Sequence, residues 1–167
     1  AWERRLNSPQ SSAAGRLFDA ASAIILGLGE TSFEGQGPMW LEAIAHAPAA
    51  FPSLQLRSDN DGRVELDWAP LVDWLLQADG AGHADRAGAV HSSLADGIVQ
   101  VAERLRAQSG SSLVGLTGGV FQNRRLTETA LSGLSARGFA VLLPVQLPCN
   151  DGGLSYGQVA DFIGGNE

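Results

Sequence analysis

The chain has 167 residues, 44% of them hydrophobic and 17% charged, with a formal net charge of −7. That balance suits one globular domain with its own core. It excludes a disordered chain, and an acidic chain is a poor match to the phosphate backbone of a nucleic acid. No apolar run approaches the ~20 residues that span a bilayer, and the opening AWERRLNSPQ has no secretory signal pattern. A soluble, cytoplasmic protein with no membrane partner is the expectation. A single cysteine, Cys149, leaves no intrachain disulfide, and there is no lysine.

In chain order, the polar stretch Asn7 to Ser12 leads into a helix predicted from about Ala13 to Leu26. Leu17, Phe18, Ala21, Ile24, Ile25 and Leu28 recur at three- and four-residue intervals, and Gly27 and Gly29 stop the helix. Asp19 lies close to this apolar stripe and has no basic residue four positions away, which leaves it open between a solvated and a functional role. The loop Thr31 to Pro38 precedes a second helix, Met39 to Ala47. Its glycines let the backbone approach a ligand closely, and Glu34 offers a carboxylate able to grip two sugar hydroxyls. A capping acid at a helix start is the alternative. His46, near the end of that helix, fits the dipole rather than a metal.

Leu54 to Leu56 and Val64 to Trp68 alternate as strands around an Asp-Gly turn, so a β-hairpin is expected. Pro70 opens a helix that Gly80 to Gly82 close. The longest helix should run from His83 to about Gln108, with Ala87, Val90, Leu94, Ile98, Val101 and Leu105 packed on a sheet. His91, beside that stripe, reads as a core or capping histidine. His83 and His91 are not spaced to share a metal.

Leu113 to Leu116 read as a short buried strand, followed by the Gly118-Gly119 turn. A helix from Arg124 to Ala136, a second buried strand from Phe139 to Leu143 and the Asn150-Asp151-Gly152-Gly153 turn complete a β-α-β unit with parallel strands. Strand, glycine turn and helix bring free backbone N–H groups and a helix N-terminus together, a geometry suited to an anion. Neither a Walker loop nor a Rossmann fingerprint is present. Both turns should lie on one side, at the carboxyl ends of the strands, where Asp151 could hold a metal against phosphates. Read alone, Asp151 is an Asp-Gly turn capping the last helix. Cys149 reads as a packed thiol and the pairs Arg4-Arg5 and Arg124-Arg125 as solvated surface.

The strings LNSPQSSAAGRLFDAASAIILGL, SFEGQGPMWLEAIA, LTGGVFQNRRL and PCNDGGLSYGQVA together resemble the C-terminal part of the HypF carbamoyltransferase family of NiFe-hydrogenase maturation. They are more distantly similar to the TsaD-type tRNA threonylcarbamoyl transferases and to the O-carbamoyltransferases of antibiotic biosynthesis. The resemblance covers nearly the whole chain, so residues 1–167 are expected to form a single domain. It implies an α/β fold, the second lobe of an actin-like ATPase (ASKHA) fold with a parallel or mixed sheet and packed helices. It further implies that Asp19, Glu34 and Gly35 hold a nucleoside, that Gly118, Gly119 and Asn123 hold the nucleotide from the other side, and that Asp151 binds a divalent metal. The chemistry implied is transfer of a carbamoyl group from carbamoyl-adenylate, made with ATP, to the C-terminal cysteine of the partner HypE.

In that family an acylphosphatase domain, a zinc-finger region, a YrdC-like domain and a first transferase lobe with metal histidines lie upstream. These 167 residues contain no His-x-x-x-His and no Cys-x-x-Cys, and His46, His83 and His91 do not stand in for them. The resemblance therefore implies one lobe of a two-lobed site, partnered by the N-terminal lobe of the same polypeptide and without turnover alone. A TsaD-like tRNA-modifying lobe, or a lobe that only binds a nucleotide or a partner, are the alternatives.

Overall fold

The computed structural model describes residues 3–4, 6, 8–9, 11–58, 63–77 and 80–164. Helix α1 spans Ala14–Leu26 and buries Phe18, Ala21, Ser22 and Ile25. It stops where expected, at Gly27, whose left-handed φ of 67° lets its N–H donate to the Ala23 carbonyl at 3.0 Å. Helix α2, Gln36–Ile44, begins three residues earlier than Met39 and ends short of Ala47. Pro38 is no barrier there, because first-turn N–H groups have no partner inside a helix. The Gln36 side chain reaches back to accept from the Ser32 N–H at 2.7 Å. At the other end the His46 N–H is drawn away to the Ala84 carbonyl at 3.0 Å.

Strands β1 (Gln55–Ser58) and β2 (Val64–Asp67) form the expected antiparallel hairpin, with Leu56 opposite Leu66. The Asp-Gly turn between them lies outside the described residues. Helix α3 spans Ala69–Gln77, its start capped by Asp67, whose Oδ1 accepts from the Ala69 N–H at 3.1 Å. Helix α4, His83–Ser109, ends on Gly110 in the left-handed region, φ 75°.

The stripe expected for α4 is too narrow. Ala87, Gly88, Ala89, Val90, His91, Ser93, Leu94, Ala95 and Gly97 are all buried, whereas Leu105 is half exposed. The helix is packed chiefly among α1, α2 and the helix α5 (Arg124–Ala136), and among the described residues the only sheet against it at this point is the hairpin, pressed on Gly97. A helix surrounded in this way is buried on more than one face. Small residues set the contacts: a Cβ on Gly97 would lie 3.0 Å from a Leu66 methyl.

Strands β3 (Leu113–Gly115) and β4 (Ala140–Leu142) pair in parallel across α5, with Val114 opposite Val141. The β-α-β order is as expected, but the strands are not buried throughout. Leu113 and Leu142 are 58% and 59% exposed, while Val114 and Val141 pack against the core. Alternate side chains of a strand point to opposite faces, and helices cover only one face of this pair. Among the described residues there are two separate two-stranded sheets, one antiparallel and one parallel, rather than a single mixed sheet. The architecture is α/β, and one core cluster runs from Phe18 of α1 through Leu41, Leu71 and Val90 to Leu126, Leu134 and Phe139. After β4 the chain folds into helix α6, Leu154–Gly164, which buries none of its residues. No described helix is long and apolar enough to cross a membrane.

Candidate functional site

Asp19, Glu34 and Gly35 come together. They line a concavity of about 310 Å³ with Arg16, Ser22, Leu28, Gly29, Glu30 and Thr31, between α1 and the start of α2. Asp19 is not without a cation: Arg16, three residues before it, reaches its Oδ2 at 3.0 Å. Residues three apart on a helix face each other as well as those four apart, so this pairing was within reach of the sequence. Glu34 is different. Its side chain is 94% exposed and only loosely paired with Arg16, which stands 3.9 Å away, so most of its carboxylate faces solvent, where a ligand can reach it. Gly35 has φ 81° at the start of α2, a backbone turn that suits glycine.

Gly118, Gly119, Asn123 and Asp151 form a second group at the carboxyl ends of β3 and β4, as the parallel order predicted. The Gly118 N–H donates to the Cys149 carbonyl at 2.6 Å, and the Thr117 hydroxyl lies 3.4 Å from the same oxygen. Gly119 opens a 3₁₀ turn, Gly119–Gln122, and a Cβ there would sit 3.8 Å from Asn150 Cβ. Asn150 Oδ1 accepts from the Gly152 N–H at 3.0 Å. Gly153 passes so close to Pro148 that a Cβ would lie 2.8 Å from its carbonyl oxygen. Asp151 is exposed at the start of this turn, and Cys149 is half-buried.

The N-terminus of α5, expected to be open to an anion, is already filled. Glu42, on α2, accepts from the Arg124 and Arg125 N–H groups through Oε1 at 2.7 and 3.3 Å. Asn123 Oδ1 accepts from the Leu126 N–H at 2.9 Å, and the Asn123 carbonyl from the Thr127 N–H at 3.1 Å. All four first-turn donors are thus satisfied within the chain. Sequence reasoning missed Glu42; its partners lie 82 and 83 residues away, and only the α2–α4–α5 packing brings them near. Among the described residues no acceptor pairs with the Gly119 or Val120 N–H groups, so donors for an anion are those of the glycine turn.

His91 holds Asn123 from behind. The ring is 1% exposed, Nδ1 lies 2.7 Å from the Ala87 carbonyl and Nε2 lies 2.9 Å from Asn123 Nδ2. A carbonyl only accepts, so Nδ1 carries the proton and Nε2 accepts from the Asn123 amide. This is the core histidine the sequence suggested. Burial holds its pKa below the ordinary 6.5, and the Arg125 guanidinium adds to that; the Ala87 carbonyl, Glu42 and Asn123 pull the other way. In the unfolded chain the imidazole takes up its proton near 6.5, so below that pH the unfolded state binds more protons. Stability is therefore expected to be full above pH 7 and to fall as the pH drops through 6.5 toward the lowered pKa. Urea midpoints at pH 7.5 and 5.5 measure this, and the difference should shrink in His91→Gln.

Among the described residues no three His, Cys, Asp or Glu side chains converge to hold a metal. Asp151 offers one carboxylate, whereas hard divalent ions take about six oxygens. A larger, apolar groove of about 680 Å³ between α4 and β3 contains none of the site residues expected from the sequence.

Residues 1–158 match the family model described as carbamoyltransferase, Kae1-like domain, second subdomain. The chain is 38% identical over 156 residues to the carbamoyltransferase HypF of Rhodobacter capsulatus, covering 92% of this chain and 20% of that protein. It is 33% identical over 160 residues to the Synechocystis carbamoyltransferase HypF, covering 95% of this chain and 20% of that protein. A crystal structure of full-length HypF in the phosphate- and nucleotide-bound form superposes with a TM-score of 0.85 and 30% identity, over 96% of this chain and 22% of that one. The T. kodakarensis HypF structure gives a TM-score of 0.71 at 27% identity, over 92% of this chain and 20% of that one. The chain thus spans about a fifth of the length of these relatives. Sequence and fold agree over the same residues, and the chain belongs to the HypF carbamoyltransferase family, where it corresponds to the second subdomain of the Kae1-like domain.

Proposed function

We propose that this chain is the nucleotide-holding lobe of a carbamoyltransferase that moves a carbamoyl group from carbamoyl-adenylate to the C-terminal cysteine of a HypE-like protein, in making the cyanide ligands of NiFe-hydrogenase. The observation that carries the reading is the exposed Glu34 carboxylate, 3.9 Å from Arg16, beside Asp19 and Gly35 in a concavity of about 310 Å³, on a chain that superposes on a nucleotide-bound HypF. Ligand sites start at about this size, ~300 Å³. The lobe would sit in an actin-like fold, closed by the N-terminal lobe of the same polypeptide.

In this reading Glu34 accepts from the two ribose hydroxyls, and Asp19, paired with Arg16 at 3.0 Å, takes a further donor of the nucleoside. The Gly119 and Val120 N–H groups point at the phosphate, with Gly118 giving the backbone its turn. The cysteine thiolate attacks the carbamoyl carbon; an S–C bond forms, the C–O bond to the phosphate breaks, and AMP leaves with the electron pair. Backbone donors fixed beforehand stabilise the negative charge that grows on the leaving phosphate. Asp151 would give one oxygen to a divalent ion, and the phosphates and residues outside this chain would give the rest. Such an ion would neutralise phosphate charge.

Calorimetric titration of ATP into the polypeptide that carries this lobe tests the reading. Loss of a charged hydrogen-bond partner costs about 1.5–3 kcal/mol, so Glu34→Ala should weaken binding roughly tenfold to a hundredfold. Wild-type affinity in that variant would remove the nucleoside from this concavity.

A further inference from the structure

The two groups of site residues lie on different elements, and one side chain ties them together. Helix α2 starts directly after Gly35, and Glu42 stands in its last turns. About 9 Å of helix, at 1.5 Å per residue, separates Gln36 from Glu42. At the far end the Glu42 carboxylate accepts from the Arg124 and Arg125 N–H groups, immediately after the Gly118–Asn123 turn. The Asn123 side chain is fixed between the Leu126 N–H and His91. The His91 ring lies 5.0 Å, centroid to centroid, from that of Phe18, the neighbour of Asp19. So α1 with Asp19, α2 with Glu34 and Gly35, and the glycine turn before α5 meet at Glu42, Asn123 and His91.

We infer that Glu42 is a positioning residue, backed by the Asn123–His91 pair: it sets the distance and angle between the nucleoside side and the phosphate side of the site. This rests on the nucleotide reading above. A nucleotide spans both groups, so its affinity depends on how often they stand in register. Glu42 also fills the α5 N-terminus by accepting from the Arg124 and Arg125 N–H groups, which leaves the Gly119 and Val120 N–H groups for an incoming phosphate. A cap that served helix stability alone would give the same hydrogen bonds but would leave ligand affinity unchanged in any folded variant.

The test compares nucleotide affinity in the full-length protein for wild type, Glu42→Ala and Glu42→Gln, at a temperature where circular dichroism shows each folded. If loss of the tie leaves the aligned arrangement populated at about a tenth, apparent affinity falls about tenfold. Glu42→Ala should show that loss as a raised nucleotide KM with kcat nearly kept. Glu42→Gln, whose amide oxygen can accept the same two bonds, should stay within about twofold of wild type. Should Glu42→Ala fail to fold, Glu42→Asp, one methylene too short to reach both N–H groups, takes its place with the same expectation. A folded Glu42→Ala or Glu42→Asp protein of wild-type affinity overturns the positioning role. Wild type that binds no nucleotide overturns the parent reading, and this one with it, so the two failures are told apart.

Discussion

Phe18→Ala is expected to lower the unfolding free energy by about 3–5 kcal/mol, the range for emptying a buried aromatic site. Phe18 is 1% exposed and belongs to the buried face of α1 with Ala21 and Ile25. Its ring lies tilted at 59° against His91. The loss has two parts: apolar surface returned to water, and contacts that the neighbours cannot remake because α4 beneath them is packed on several sides. A second effect follows. The hole opens beside His91, and water entering it would weaken the burial that holds the imidazole pKa low. The variant should therefore be less stable at every pH and should lose part of the decline below pH 6.5. Urea unfolding at pH 7.5 and 5.5 gives both numbers. Phe33→Ala is the control: that ring is half exposed, and its removal should change stability by no more than about 0.5 kcal/mol. Equal losses for the two would mean that Phe18 is not in the core.

What the sequence showed and what it hid divide along the range of the interactions. Helix α1 was legible because its apolar stripe and its glycine stop are local, and α5 was legible to the residue for the same reason. The meeting of the glycine turn with the Asn150–Gly153 turn followed from strand order alone, since parallel strands put both loops at one end. The family resemblance gave the residues roles but no geometry. It did not show that the α5 N-terminus is closed by Glu42, because that contact depends on where α2 lies. Nor did it show that Asn123 spends both ends of its amide inside the protein. The burial of α4 was hidden for another reason: Gly88, Ala89, Ser93 and Gly97 are buried because they are small, and smallness leaves no mark in a hydrophobic pattern. In β3 and β4 the opposite error arose, where a continuous apolar run promised two covered faces and only one is covered.

Gly88→Ala follows from the same observation and is expected to cost about 3 kcal/mol, at the upper end for overpacking a filled interior. A Cβ at position 88 would fall on the His46 carbonyl oxygen, 3.0 Å from the carbonyl carbon and 3.2 Å from Pro48 Cδ. None of these atoms can swing aside like the end of a long side chain. The segment is also pinned to α4 one turn earlier, where the His46 N–H donates to the Ala84 carbonyl at 3.0 Å. Room for a methyl group thus requires the chain after α2 to lift off α4, and with it the helix that carries Glu42. Alanine's better helix propensity, worth about 1 kcal/mol over glycine, opposes this and is too small to reverse it. Gly15→Ala isolates that propensity term: Gly15 is also helical, and nothing lies within 4 Å of its Cβ position. Thermal unfolding of the two variants should therefore shift in opposite directions, Gly15→Ala upward by a few degrees at most and Gly88→Ala downward by about 6–12 °C, at roughly 2–4 °C for each kcal/mol. An upward shift for Gly88→Ala would show that the His46 carbonyl does not rest on α4 at this point, and that α2 is free to move without it.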